Sequence, residues 1–214
     1  MTIVALSRVH HPVTTLGPGR RAGVWFQGCS IRCSGCISPD TWEPGAGATS
    51  VRELLDALER LASDSDGLTV SGGEPFDQPE ALADLLTGWR MLSPANVLVF
   101  SGHPYERLTN WLELHDGLID ALVAGPFMKE KPQSLALRGS DNQTLHLLTP
   151  LGRENFASFD RLAEPADLRL DAMFDEDGGV WFSGIPARGD FDRLRQNLRA
   201  AGHQLTLTER STLR

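Results

Sequence analysis

The sequence predicts an α/β protein: a core of strands alternating with helices, followed by a small C-terminal α/β appendage. Three observations predict it. Strand-length apolar runs recur between amphipathic helical stretches as far as Leu148. Polar, glycine-rich strings follow several of those runs: Ser71-Gly72-Gly73-Glu74-Pro75, Ser101-Gly102 and Gly125-Pro126. Beyond Leu148 the rhythm changes to a hairpin and one helix. Strands alternating with helices imply a parallel sheet. In such sheets ligands sit beyond the carboxyl ends of the strands, so the strings should converge on one mouth.

Each element has a local reason. Thr2–Val9 reads as a strand, Thr15–Arg21 as a glycine-rich loop, and Val24–Phe26 as a short strand running into a cysteine loop. Pro44–Ala48 breaks the chain. Ser50 then opens a helix with Glu53 three residues on, the signature of a capping box. Val51, Leu54, Leu55, Leu58 and Leu61 give that helix one apolar face. Leu68–Val70 is a buried strand. Asp77 is expected to cap a second helix, with Leu82, Leu85, Leu86 and Trp89 inward. Asn96–Phe100 is the next strand and Glu106–Leu114 the next helix, with Leu108, Trp111 and Leu112 inward. Ile119–Val123 and Thr144–Leu148 complete the core strands.

The division falls at residues 1–150 and 151–214. In the second part, Leu168–Phe174 and Gly179–Phe182 flank the turn Asp175–Gly178 and form a hairpin. Asp190–Ala201 is a helix with Phe191, Leu194 and Leu198 inward, stopped by Gly202. Leu205 and Leu207 alternate with polar residues as a half-exposed strand, which completes a ββαβ unit.

The chain has 214 residues, 41% of them hydrophobic, enough for one sizeable core with a small attachment. A net charge of −8 argues against a partner held through nucleic-acid phosphates. No apolar run is long enough to span a bilayer, and the N-terminus lacks a secretion signal. The three cysteines lie within eight residues, which is no disulfide framework and suits a reducing cytoplasm.

Cys29, Cys33 and Cys36 have the spacing C-x3-C-x2-C. Protein-bound [4Fe–4S] clusters normally take four cysteines. Three without a fourth fit a cluster with one iron left open to a small molecule. The rival is a structural zinc site with His10, His11 or His146 as fourth ligand, although zinc sites usually pair two C-x2-C units. Gly72-Gly73-Glu74 at a strand end is the second signal. A carboxylate there can accept from an ammonium group, and bare glycine backbone permits close approach.

Together these residues resemble the radical S-adenosylmethionine (SAM) superfamily. The narrower resemblance is to the activating proteins of anaerobic ribonucleotide reductase. It rests on Gly17-Pro18-Gly19-Arg20-Arg21, Phe26-Gln27-Gly28-Cys29, Cys33-Ser34-Gly35-Cys36 and Trp42. It continues through Ser71–Pro75, Ser101-Gly102 with Tyr105-Glu106, Gly125-Pro126-Phe127 and Arg138-Gly139-Ser140-Asp141-Asn142-Gln143. The order is right throughout residues 1–148. Ala124 departs from the family's Asp before Gly-Pro. Gly35 stands where many other radical SAM proteins carry an aromatic residue.

The resemblance implies a partial (β/α) barrel. Cys29, Cys33 and Cys36 would hold three irons of a [4Fe–4S] cluster, and SAM would chelate the fourth. Glu74 with the Gly72-Gly73 backbone would bind the SAM amino group. Gly35, Cys36 and Ile37 would lie along the adenine, and Ser101 near the methionine or ribose. One electron through the cluster would cleave SAM to methionine and a 5′-deoxyadenosyl radical, which abstracts hydrogen from the target. The implied target is a glycine in a partner glycyl-radical enzyme, with flavodoxin or ferredoxin as reductant. The alternatives are a radical SAM enzyme acting on a peptide or small molecule, and a non-enzymatic module stabilised by metal. Gly17–Arg21 is either a tight loop or a positioning element for the cluster or a partner. Arg138–Gln143 either orders the site through backbone bonds or touches SAM.

Overall fold

The chain begins with β1 (Ile3–Val13) and β2 (Arg21–Phe26), and a short β3 (Ala48–Ser50) runs into α1 (Val51–Ala62). Then come β4 (Gly67–Gly72), α2 (Pro79–Leu92), β5 (Asn96–Ser101), α3 (Thr109–Leu114), β6 (Ala121–Ala124) and β7 (Thr144–Leu147). Helix α4 (Pro150–Phe156) leads to the hairpin β8 (Leu170–Phe174) and β9 (Val180–Gly184), then α5 (Asp190–Ala200). This computed structural model describes residues 1–174 and 179–203. The expected turn at 175–178 and the expected strand around Leu205 and Leu207 lie outside the described residues.

Seven strands form one sheet in the order β3-β1-β2-β4-β5-β6-β7. Strands β2, β4, β5 and β6 are parallel, as the alternation with helices predicts. Both flanks are antiparallel. The physical reason is connection length. A parallel neighbour needs a crossover, usually a helix. Strands β1 and β2 are joined by a short loop instead, and no helix lies between β6 and β7. Strand β1 also runs on to Val13, past the predicted end at Val9.

One face of the sheet carries the main core. Val24, Phe26, Leu68, Val70, Val97, Val99 and Leu122 meet Leu54, Leu58, Leu82, Leu85, Leu86 and Trp89 of α1 and α2. The predicted capping box holds: the Ser50 hydroxyl accepts from the Glu53 N–H at 3.1 Å, and the Glu53 carboxylate accepts from the Ser50 N–H at 2.9 Å. The expected cap on α2 does not. Gln78 occupies that position without a side-chain bond, and Asp77 turns elsewhere. The helix expected over Glu106–Leu114 is shorter, with a tight turn at Tyr105–Arg107 before α3.

The other face carries smaller clusters. Leu98, Ala121 and Val123 pack on Leu137 and on Phe156 at the end of α4. Trp25 packs with Val13 and Leu16. Arg21 fixes the amino end of the parallel strands. It is fully buried, and its guanidinium donates to Thr69 Oγ1 at 2.6 Å, Asn96 Oδ1 at 2.8 Å and the Leu68 carbonyl at 2.7 Å. Burial pulls its pKa down to about 9. Arg21 pairs with Gly67, whereas the cysteine loop leaves β2 at the opposite end, after Phe26. The Gly17–Arg21 string thus ends in a residue that ties the amino ends of β2, β4 and β5 together.

Candidate active site

The carboxyl ends of β2, β4, β5 and β6 converge on one cavity of about 390 Å³. That is within the range of small-molecule and cofactor sites. Cys29, Cys33, Cys36, Gly35, Ile37, Gly72, Gly73, Glu74 and Ser101 all line it. The sequence brought these nine residues forward separately, and the fold brings them together.

The cysteine loop is cradled by backbone. The Gly28 N–H donates to the Thr41 carbonyl at 2.7 Å and the Cys29 N–H to the Trp42 carbonyl at 3.1 Å. The Gly73 N–H bonds the Phe26 carbonyl, and the Glu74 N–H bonds the Gly28 carbonyl, each at 2.9 Å. This approach explains the glycine pair. A Cβ at Gly73 would meet the Gly28 carbonyl oxygen at 2.0 Å, and Gly72 has φ +111° with a Cβ that would meet the Phe26 backbone at 2.4 Å. The pair is thus required by the cysteine loop itself. Gly35 has φ +77°, and the Phe127 ring and the Lys129 stem lie 3.5 Å from where its Cβ would stand.

Two of the thiols receive backbone hydrogen bonds. The Arg32 N–H points at Cys29 Sγ (3.5 Å) and the Ser38 N–H at Cys36 Sγ (3.4 Å). The Phe127 backbone opposes the rise in the Cys33 pKa, and the Trp42 side chain that of Cys36. Burial raises all three thiol pKa values. Hydrogen bonds to cysteine sulfur and burial are the levers that set iron–sulfur potentials. Three partly buried thiols, and no fourth cysteine in the sequence, fit a [4Fe–4S] cluster. The histidines of the zinc reading are engaged elsewhere. His10 packs edge-on to Trp25, His11 contacts the Asp64 carbonyl at 3.1 Å, and His146 stacks on Tyr105. None of the three lines the cavity.

Glu74 is fully buried. Its Oε1 accepts from the Phe76 N–H at 3.0 Å and the Ser101 hydroxyl at 2.9 Å, and its Oε2 from the Gly102 N–H at 2.7 Å. Burial raises its pKa while these donors pull it back. The carboxylate therefore clamps the end of β4 to the end of β5. Each oxygen keeps acceptor capacity for a further donor.

Asp77 was missed as a site residue. Its carboxylate accepts from the Ser30 N–H (2.7 Å) and hydroxyl (2.9 Å), and His103 lies 3.6 Å away. It ties the residue after Cys29 to the turn after Glu74. Only its short spacing from the Gly-Gly-Glu-Pro string could have flagged it. Replacing Asp77 with Ala should loosen this tie by about 1–2 kcal/mol. We expect roughly 5- to 30-fold faster iron loss to a chelator from the reconstituted protein, measured by loss of visible absorbance; unchanged iron retention would show that the tie is idle.

The Arg138–Gln143 string orders loops. Gln143 donates to the Gly125 carbonyl at 3.0 Å, Asn142 to the Pro126 carbonyl at 2.7 Å, and Arg138 pairs with Asp160 at 2.8 Å. Only Gly139 and Gln143 of this string line the cavity. Ala124 packs in the helix-side core, so the missing Asp removes no carboxylate from the cavity. The remaining wall was not foreseen. Residues of β9, the following loop and the first turn of α5, including Phe182, Ile185, Arg188 and Phe191, line the cavity together with the cysteines.

Fold and site together define an iron–sulfur enzyme of the radical SAM class. The chain belongs to the family described as 4Fe-4S single cluster domain, which matches residues 15–146. Its cofactors are a [4Fe–4S] cluster and SAM, and it is an oxidoreductase of the activating type. It is 29% identical over 149 residues to the anaerobic ribonucleoside-triphosphate reductase-activating protein of Salmonella typhi, an alignment spanning 65% of this chain and 96% of that protein. It is 48% identical over 75 residues to the pyruvate formate-lyase-activating enzyme of Clostridium pasteurianum, covering 33% of this chain and 32% of that one. A structure of QueE from Escherichia coli superposes with TM-score 0.40 and 18% identity, over 47% of this chain and 53% of that one. That last likeness is too loose to carry an argument.

Proposed function

We propose that this enzyme installs a glycyl radical on a partner protein, taking its electron from a flavodoxin or ferredoxin in the cytoplasm. The observation that supports the reading most is the convergence of the three thiols, Glu74 and Ser101 on one cavity beyond the parallel strands. The likeness to two activating proteins supports the choice of target. The four parallel strands at the centre of the seven-stranded sheet support the reading as a partial (β/α) barrel.

Cys29, Cys33 and Cys36 would ligate three irons. A cluster and SAM held there would supply the hydrogen-abstracting chemistry that the target glycine requires. The chain's own residues hold and shield. Glu74 and the Gly72-Gly73 backbone would orient the SAM amino group, Ser101, which holds Glu74 in place, would lie near the methionine or ribose, and Gly35, Cys36 and Ile37 would flank the adenine. The core of residues 1–150 carries this chemistry, and the appendage of residues 151–214 serves the substrate. No helix among the described residues is long and apolar enough to cross a membrane.

The test is anaerobic co-expression with a glycyl-radical enzyme encoded beside this gene, followed by electron paramagnetic resonance. A glycyl doublet that disappears in the Cys33→Ala variant is the expected result. SAM cleavage without any protein radical would move the reading to a peptide or small-molecule substrate.

A further inference from the structure

We propose that the segment Ser183–Asp192 is a size-selecting wall of the reaction cavity, and that Arg188 is specificity-determining because it holds this wall shut. The wall limits by size what reaches the cysteines through the mouth of the cavity; that the limit acts on a polypeptide substrate rests on the glycyl-radical reading above. The family match ends at residue 146, and the alignment with the Salmonella relative takes up 96% of that protein but 65% of this chain. The wall is therefore an addition to the shared core.

The segment is strapped across the open face of the sheet. On one flank Asp171 accepts from the Thr14 N–H at 2.7 Å and the Thr15 hydroxyl at 3.0 Å, in the loop between β1 and β2. There Gly184 has φ +131°, and a Cβ would meet the Arg169 carbonyl oxygen at 2.2 Å, so only glycine docks. On the other flank, beyond β6, Gln133 donates to the Pro186 carbonyl at 2.8 Å, and the Arg188 guanidinium donates to the carbonyls of Lys129 and Lys131. Strands β4 and β5 lie between the two anchors in the sheet. The strap thus runs from the loop at the amino end of β2 to the loop after β6, and its residues line the cavity. Closing a site in this way excludes water and confines what enters. Lys129 is also the residue lying beside Gly35, so the clasp grips the loop that borders the cysteines.

The experiment compares two ferrous chelators on the reduced, reconstituted holoprotein under argon: 1,10-phenanthroline, which is compact, and bathophenanthroline disulfonate, which is bulky. In the native protein the bulky chelator should extract iron much more slowly than the compact one. In the double variant Arg188→Ala/Gln133→Ala this discrimination should fall roughly tenfold, which corresponds to about 1.4 kcal/mol of easier opening. Arg188→Lys, able to reach one carbonyl at a time, should lie between. Gly184→Val, which prevents docking on the other flank, should reproduce the loss. Native discrimination retained in both the double variant and Gly184→Val, or absent from the native protein, would overturn the wall. A failure to find a glycyl radical in a partner would instead overturn the functional reading and leave these rates as they are.

Discussion

Replacing any one of Cys29, Cys33 or Cys36 with Ala is expected to abolish the cluster. Cys29, Cys33 and Cys36 are the three cysteines of the sequence. Each is partly buried, and Cys29 and Cys36 already receive backbone N–H donors. Iron and sulfide analysis after anaerobic reconstitution should fall from about four of each per chain to a small fraction. SAM cleavage should be lost with it. Full retention of iron in one of these variants would remove that cysteine from the ligand set and reopen the search for another donor. The fold itself should survive, because the helix-side core contains none of these residues.

The second large effect is expected at Glu74. Replacing it with Ala abandons the Phe76 N–H, the Gly102 N–H and the Ser101 hydroxyl in a fully buried position. Each abandoned donor costs about 1–3 kcal/mol unless water takes the carboxylate's place. A clear fall in thermal stability should result. The loss of a charge-assisted contact to the SAM ammonium adds on the order of 1.5–3 kcal/mol. That is roughly 10- to 150-fold in SAM affinity, read by calorimetry on the folded, cluster-loaded fraction. Reduced stability with unchanged SAM affinity would show that Glu74 is only the clamp between β4 and β5. From sequence alone, the same substitution reads as a pure binding defect.

That difference shows what a sequence carries and where it stops. The central strands and most helices were legible because their signals are local: apolar spacing, the Ser50–Glu53 box, and Gly or Pro at strand ends. The cysteine loop and the Gly-Gly-Glu string were legible as one site because parallel strands direct their carboxyl ends to one side. The antiparallel edges were not, since strand direction depends on whether a helix fits between neighbours, and the stretch from β6 to β7 gives no clear periodic pattern. The role of Asp77 was misread because a carboxylate just before a helix ordinarily caps it. Here the cysteine loop offers a free N–H and hydroxyl in competition. The glycine pair reads from sequence as room for a ligand, and the Gly28 carbonyl, 2.0 Å from a Gly73 Cβ, adds a demand for glycine that only the folded cysteine loop reveals. The appendage was legible as hairpin plus helix but not as a cavity wall. Its docking depends on contacts such as Thr14 with Asp171, 157 positions apart in the chain, which leave no periodic trace.

The central claim is that the cavity beyond the parallel strands cleaves SAM reductively at a cluster held by three cysteines. The most direct measurement incubates reconstituted, dithionite-reduced protein with SAM under argon and quantifies 5′-deoxyadenosine and methionine by chromatography with mass detection. The account predicts equal amounts of the two products, formed by the native protein and absent from the Cys33→Ala variant. A native protein that carries about four irons per chain and releases neither product would contradict it.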